Sequence, residues 1–75
     1  MDIKITIGQR IRALRETKNM AQKDLAYAAD LDRTYIASVE CGKRNISIVN
    51  IEKIANALKV SLKEFFEDGG FDEKN

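Results

Sequence analysis

Residues 21–40, AQKDLAYAADLDRTYIASVE, decide the fold of this chain. Within them, residues 22–29 place Leu25, Ala26 and Ala29 at spacings of three and four, the period of an amphipathic helix. Residues 30–32 break that pattern, and Asp32 is a favourable N-cap for a second helix over residues 33–41. The segment therefore predicts two short helices joined by a tight turn.

The second helix has two unlike faces. At about 100° per residue, Tyr35, Ile36 and Val39 fall on one arc, which is apolar and suited to a core. The other arc is short, polar and basic at its first turn: Arg33, Thr34, Ala37, Ser38 and Cys41. Small side chains let a helix approach base edges closely in the major groove of DNA. Two helices joined by about three or four residues, with the second presenting such a face, form a helix-turn-helix.

The composition is that of a small globular protein. The chain has 75 residues, of which 44% are hydrophobic and 33% charged, which indicates one folded domain over residues 1–75. It contains no proline and only four glycines, as suits an all-helical fold. No apolar run approaches the roughly 20 residues of a membrane span, and no signal peptide is visible. A single cysteine cannot form an internal disulfide, so we expect a cytoplasmic protein with no membrane partner.

The distribution of charge is more informative than its total. The formal net charge is only +1, but residues 1–60 carry a net +4 and residues 61–75 a net −3. A basic body with an acidic C-terminal tail is compatible with binding to DNA. A solvated, mixed surface with a charged tail explains the same numbers, so charge alone does not decide.

Catalysis is not expected. The chain contains no histidine, so it cannot build an ordinary catalytic triad or a histidine metal site. Its one cysteine and scattered carboxylates lack the spacing of a metal site. We therefore expect no catalytic residue, no metal, no cofactor and no small-molecule ligand. Cys41 is interpreted as a small filler at a helix end, with a redox sensor as the alternative.

The first helix is expected over residues 6–18, with Thr6 as its N-cap. Its apolar stripe consists of Ile7, Ile11 and Leu14. Residues 1–5 are expected to form a short N-terminal arm, although the alternation of isoleucine with polar residues also allows a strand.

Two further helices follow the basic loop that begins at Gly42, a residue suited to stopping a helix. A fourth helix is expected over residues 47–58, capped by Ser47, with one continuous apolar face: Ile48, Ile51, Ile54, Ala55 and Leu58. A fifth opens at Ser61. Residues 68–75 are expected to fray.

The last two helices are also where we expect a dimer contact. One helix in so small a domain cannot easily bury both Phe65 and Phe66, so either one of them contacts a second copy or both close the core. Val49 lies opposite the apolar face of its helix. The candidates for a dimer interface are Val49, Leu62, Phe65 and Phe66.

The whole pattern resembles the Cro and phage-repressor type of helix-turn-helix, also called XRE-like, over about residues 7–66. The matching motifs are Ile7-Gly8-x-x-Ile11-x-x-Leu14-Arg15, Gln22-x-x-Leu25-Ala26, Ile36-x-x-Val39-Glu40-x-Gly42-Lys43-Arg44 and Ile51-x-x-Ile54-Ala55-x-Ala57-Leu58-x-Val60-Ser61-x-x-x-Phe65-Phe66. The resemblance implies five helices around one core, the lambda-repressor-like fold. Ala21 departs from it, because the family usually has Ser or Thr there as an N-cap.

The resemblance also implies roles for individual residues. The Gln22 position contacts the DNA backbone and sometimes a base. The positions of Arg33, Thr34 and Ser38 read the major groove, and the loop after the third helix holds phosphates or reaches bases. Arg15 and Glu40 match a structural ion pair between the first and third helices. The candidate DNA-binding residues are Gln22, Arg33, Thr34, Tyr35, Ser38, Lys43, Arg44 and Asn45.

Within this family, residues 31–36 and 44–47 look most like the controller proteins of restriction–modification systems, which are small homodimeric regulators of their own operon. The sequence thus predicts a transcriptional regulator that binds a near-palindromic operator in double-stranded DNA as a homodimer. Two alternatives stay open: an antitoxin that binds a protein partner as well as DNA, and a phage or plasmid repressor.

Overall fold

The computed structural model describes residues 1–72, which form five α-helices and a final 3₁₀ turn and contain no strand. The all-helical, five-helix prediction is therefore confirmed. The helices are α1 (Ile3–Thr17), α2 (Gln22–Ala29), α3 (Arg33–Glu40), α4 (Ile48–Ala57) and α5 (Leu62–Phe66), and the 3₁₀ turn is Gly69–Phe71.

The predicted N-terminal arm is wrong, because α1 begins at Ile3 rather than Thr6. Asp2 is the N-cap, and its carboxylate accepts hydrogen bonds from the backbone N–H groups of Lys4 and Ile5. Thr6 lies inside the helix, where its hydroxyl donates to the Asp2 carbonyl oxygen at 3.1 Å. An aspartate at the N-cap stabilises a helix that begins at Ile3.

The other helix starts agree with the sequence. Asp32, Ser47 and Ser61 each cap their helix through the side-chain oxygen. Ala21 has no such oxygen, but the Asp24 carboxylate accepts from its backbone N–H at 2.9 Å. Half of a capping box thus stabilises the start of α2 without the usual hydroxyl.

All five helices contribute to one hydrophobic core. The buried apolar residues are Ile7, Ile11, Leu25, Ala26, Ala29, Ile36, Val39, Ile51, Ile54, Ala55, Leu58, Val60 and Phe65. The predicted apolar face of α4 is wrong at Ile48, whose side chain is 65% exposed. Ile48 opens the helix after the Ser47 cap, at the solvent-facing end of the stripe.

The helices α1 and α3 cross at Gly8. A Cβ atom at this position would meet the carbonyl oxygen of Val39 and lie 2.7 Å from that of Glu40. Only glycine permits so close an approach of the two backbones. The crossing places the middle of α1 against the last turn of α3, and Arg15 from the last turn of α1 reaches Glu40 through its side chain.

The C-terminal segment folds back on α1, so the expected fraying is wrong for residues 68–72. Asp68 caps the 3₁₀ turn, and Phe71 packs against the core. The Arg10 guanidinium donates to the carbonyl oxygens of Phe65 and Glu64, both at 2.8 Å, and lies 3.7 Å from the Asp68 carboxylate. The same prediction for residues 73–75 falls outside the described residues.

Candidate nucleic-acid interface

The α2–α3 pair has the geometry of a helix-turn-helix. Three residues connect the helices, and the first of them, Asp30, takes the left-handed conformation at φ +56°. The backbone N–H of Leu31 then donates to the Ala26 carbonyl oxygen at 2.9 Å. Asp32 restarts the chain as α3, accepting from the backbone N–H of Thr34. The turn is thus fixed by local backbone hydrogen bonds.

One face of α3 is anchored and the other is free. Ile36 and Val39 are buried in the core, whereas Arg33 and Thr34 are exposed at the first turn. Ser38 is half-buried, and its hydroxyl lies within hydrogen-bond distance of the carbonyl oxygens of Thr34 and Tyr35. Its proton therefore bonds within the helix, which leaves the oxygen as an acceptor for an incoming group.

Tyr35 lies at the border of this face and is half-buried. Its hydroxyl accepts from the Asn50 side-chain amide at 3.0 Å, which ties α3 to α4. The Arg44 guanidinium lies over the Tyr35 ring, 5.0 Å from its centroid, at the distance of a cation–π contact. Sequence reasoning missed Asn50, because a polar residue on α4 gave no signal of a contact 15 residues away.

The loop after α3 turns at Gly42, whose φ of +73° is in the left-handed region. The N–H groups of Gly42 and Lys43 donate to the carbonyl oxygens of Val39 and Ser38, both at 3.0 Å. These bonds complete the end of the helix. Lys43, Arg44 and Asn45 follow, and all three are exposed. The structure thus brings the basic loop to the end of the exposed α3 face.

A partly buried polar network lies behind the start of α2. The Arg15–Glu40 ion pair is present, with Arg15 Nε 2.7 Å from Glu40 Oε2 and Nη2 3.0 Å from Oε1. The hydrogen bond to Glu40 is the main cause that raises the pKa of Arg15 above its usual value. Arg15 Nη1 donates to the Met20 carbonyl oxygen, and Gln22 Nε2 donates to Glu40 Oε1 at 3.1 Å. Three helices are therefore joined at one point.

Beside this network is an open cavity of about 450 Å³, lined by Arg15, Ala21, Gln22, Lys23 and Arg33. It places the candidates Gln22 and Arg33, from consecutive helices, on one concave surface. Lys23 is exposed there as well, although no sequence pattern distinguishes it from other surface lysines. The arrangement offers cationic groups and amide donors to an anionic ligand.

Of the four candidates for a dimer interface, three are exposed and one is buried. Val49 is 60% exposed, and Leu62 and Phe66 are each 37% exposed. Phe65 has no exposed surface, so its assignment to a dimer interface is wrong: the ring is enclosed by this chain's own core. Ile48, which the sequence placed inside, instead joins Val49 and Leu62 around a shallow groove of about 220 Å³.

Two structural absences hold for residues 1–72. None of their helices combines the length and the apolar character needed to cross a bilayer. Their histidine, cysteine, aspartate and glutamate side chains form no group of three that could hold a metal ion.

Comparison with known proteins gives a consistent result. A family described as Helix-turn-helix matches residues 11–65. The chain is 48% identical over 68 residues to control protein C.MunI from Mycoplasma sp, covering 89% of this chain and 92% of that protein.

Similar solved structures also belong to controller proteins. The restriction–modification controller protein C.AhdI from Aeromonas hydrophila superimposes with a TM-score of 0.83 at 44% identity, over 88% of this chain and 100% of that one. The controller protein C.Esp1396I, solved as a tetramer in complex with its natural 35 base-pair operator, gives a TM-score of 0.82 at 42% identity, over 85% of this chain and 84% of that one. The relatives are regulators by name rather than enzymes. This chain belongs to the helix-turn-helix family and, within it, to the restriction–modification controller proteins.

Proposed function

We propose that this protein is a sequence-specific, DNA-binding transcriptional regulator that controls a restriction–modification operon. It acts as a homodimer on a near-palindromic operator, in the cytoplasm, without catalysis and without a cofactor. The observation that carries the proposal is the exposed face of α3, which is polar and basic at its first turn while its opposite face is fixed in the core.

The DNA contacts follow from the positions of the exposed side chains. Arg33 and Thr34, at the start of α3, face base edges in the major groove, with the Ser38 oxygen as a further acceptor. Lys43, Arg44 and Asn45 extend along the adjacent backbone, where cations and amides bind phosphates without reading sequence. Tyr35 contributes from the border of the face and holds Arg44 against its ring. Gln22 approaches the backbone from the start of α2.

Dimerisation uses the α4–α5 surface formed by Ile48, Val49, Leu62 and Phe66. These are large apolar side chains with between 37% and 65% of their surface exposed, in a domain that buries little surface of its own. Ile48, Val49 and Leu62 line one groove, and Phe66 follows Leu62 by one turn of α5. A two-fold axis through this surface would repeat α3 in the partner. Consecutive major grooves on one side of DNA lie about 34 Å apart, which sets the spacing that the two copies of α3 must match.

Footprinting on the DNA upstream of the protein's own gene tests the proposal, together with sedimentation of the free and DNA-bound protein. We expect a protected site with approximate two-fold symmetry and a complex that contains two or more copies of the chain. A monomer at tens of micromolar that forms no dimeric DNA complex would contradict the proposal. A neighbouring toxin gene in place of a restriction endonuclease gene would favour the antitoxin alternative.

A further inference from the structure

We propose that Glu40 is a positioning residue for DNA contact: its buried carboxylate holds the Gln22 side-chain amide in one orientation, with the Oε1 oxygen and one N–H left for DNA. This inference rests on the proposed function, because it concerns the DNA contact made by Gln22. It gives Glu40 a second role beyond its ion pair with Arg15.

The ends of three helices meet at the Glu40 carboxylate. Glu40 is the last residue of α3, Gln22 is the first of α2, and Arg15 lies in the last turn of α1. The Glu40 side chain is only 3% exposed, so solvent does not compete for its oxygens. Its Oε2 accepts from Arg15 alone, at 2.7 Å, whereas its Oε1 accepts from both Arg15 at 3.0 Å and Gln22 at 3.1 Å.

The chemistry of the carboxylate fixes which end of the Gln22 amide faces it. An ionised carboxylate only accepts hydrogen bonds, so it can pair with Nε2 but not with Oε1. Rotation of the amide by 180° would place two acceptor oxygens at about the distance of the present hydrogen bond, in a partly buried site where unpaired polar atoms are costly. Glu40 therefore selects one of the two amide orientations, which a solvated glutamine would exchange freely.

The orientation of the Gln22 amide decides which of its atoms are available to a ligand in the cavity. Gln22 lines it beside Arg33 and Lys23, and its unused Oε1 and second N–H are the groups left for a ligand. A donor and an acceptor presented together match the edge of an adenine, and the donor alone matches a phosphate oxygen. Three of the five N–H groups of Arg15 already donate within the protein, one each from its Nε, Nη1 and Nη2 atoms, which holds its guanidinium in place.

The Arg15–Glu40 ion pair does not depend on the hydrogen bond between Gln22 and Glu40. Arg15 contacts both carboxylate oxygens and the Met20 carbonyl oxygen, so it could be satisfied with any residue at position 22. A purely structural role for Glu40 therefore predicts that its removal affects DNA binding equally with and without Gln22. A positioning role predicts that the effect depends on Gln22.

A double-mutant cycle on operator affinity distinguishes the two roles. Removing Glu40 alone would leave the partly buried Arg15 guanidinium without its carboxylate partner, so the pair is replaced together by R15M/E40M, an apolar exchange of a kind that is often neutral or stabilising for folding. The cycle compares the wild type, Gln22→Ala, R15M/E40M and the triple variant. We expect Gln22→Ala and R15M/E40M each to weaken operator binding about tenfold, and the triple variant to be no weaker than about tenfold.

The matched control is R12M/E16M, which removes an ion pair of the same net charge from the solvent-exposed side of α1. Its effect on affinity should be small and the same in both Gln22 backgrounds. Losses that multiply to about a hundredfold in the triple variant, or no loss in R15M/E40M, would overturn the positioning role. If the wild type itself does not bind the operator, the proposed function fails instead.

A second measurement does not depend on the variants folding. The chain contains two glutamines, Gln9 and Gln22, and only Gln22 has a side-chain hydrogen bond to a carboxylate within the described residues. In an amide NMR spectrum of the free wild-type protein, we expect one Nε2 proton of Gln22 to lie downfield of both Nε2 protons of Gln9. Equivalent signals from the two glutamines would overturn the proposal.

Discussion

Replacing Phe65 and Phe66 separately by alanine separates folding from association. The two rings are adjacent in sequence and 5.0 Å apart between centroids, but Phe65 is fully buried and Phe66 is 37% exposed. Truncation of a buried phenylalanine costs about 3–5 kcal/mol. A domain of this length has a total stability of roughly 4–11 kcal/mol. At about 4–8 °C per kcal/mol, the melting temperature of Phe65→Ala should therefore fall by at least about 12 °C.

Phe66→Ala should affect folding less than Phe65→Ala does, and it should also weaken association. Its ring makes edge-to-face contacts with Phe65 and with Phe71, each at 5.0 Å, and such contacts contribute about 0.5–1.5 kcal/mol apiece. Loss of both lowers stability by roughly 1–3 kcal/mol, less than the loss of Phe65. Because the exposed part of the ring lies on the proposed dimer surface, dimer dissociation should become about tenfold easier.

The assay combines thermal melting at two protein concentrations with sedimentation equilibrium. Two concentrations are needed because association itself raises the melting temperature by mass action. Tyr27→Ala is the matched control, since this aromatic side chain is 90% exposed on α2; it should change neither readout. An unchanged melting temperature for Phe65→Ala would refute the assignment of its ring to the core. An unchanged dissociation constant for Phe66→Ala would refute the dimer surface.

Five further outcomes are expected. Arg33→Ala should weaken binding to the operator much more than to a scrambled duplex, because a guanidinium paired with guanine discriminates by about 1–3 kcal/mol; equal losses on both duplexes would remove its base-reading role. Lys43→Ala should weaken both complexes alike and reduce the slope of affinity against salt by about one unit, as titrations at several salt concentrations will show. Gly8→Ala should lower the melting temperature markedly, because its Cβ would collide with two carbonyl oxygens of α3, and a wild-type melting curve would contradict that close approach. Ala21→Ser should raise stability by about 0.5–1 kcal/mol in urea unfolding by supplying the missing N-cap of α2. Arg10→Ala should increase hydrogen exchange at the backbone amides of residues 68–72, because the Arg10 guanidinium donates to two α5 carbonyl oxygens. Unchanged protection of these amides would show that Arg10 does not hold the C-terminal segment against α1.

The parts of the fold that the sequence predicted well depend on neighbours within a few residues. Asp32, Ser47 and Ser61 act on N–H groups two or three positions ahead, so their type and spacing were sufficient to locate the helix starts. The buried face of α3 followed from helical periodicity in the same way. The ion pair of Arg15 with Glu40 spans 25 positions, and only the family resemblance indicated it.

The errors share a different physical origin. Phe71 and Arg10 are about 60 residues apart in sequence, so no local pattern showed that the C-terminal turn would fold back on α1. Without that turn, two adjacent phenylalanines appeared too many for one small core. Asp2 was overlooked because the isoleucines after it alternate like a strand, although an aspartate before them is a good helix start.

Pairing within the protein explains how a net charge of only +1 is compatible with a DNA-binding surface. The helix α1 carries three arginines, and Arg10, Arg12 and Arg15 lie within 4.0 Å of Asp68, Glu16 and Glu40, respectively. Each of these arginines therefore has a carboxylate of opposite charge beside it. The cationic side chains around the exposed α2–α3 surface form no ion pair with any carboxylate of residues 1–72: Lys23, Arg33, Lys43 and Arg44. Because salt screens exposed charges beyond about 8–10 Å, a DNA phosphate interacts with this local group of cations rather than with the net charge of the whole chain. The acidic C-terminal residues lower the net charge, while the Arg10–Asp68 contact holds one of them at α1.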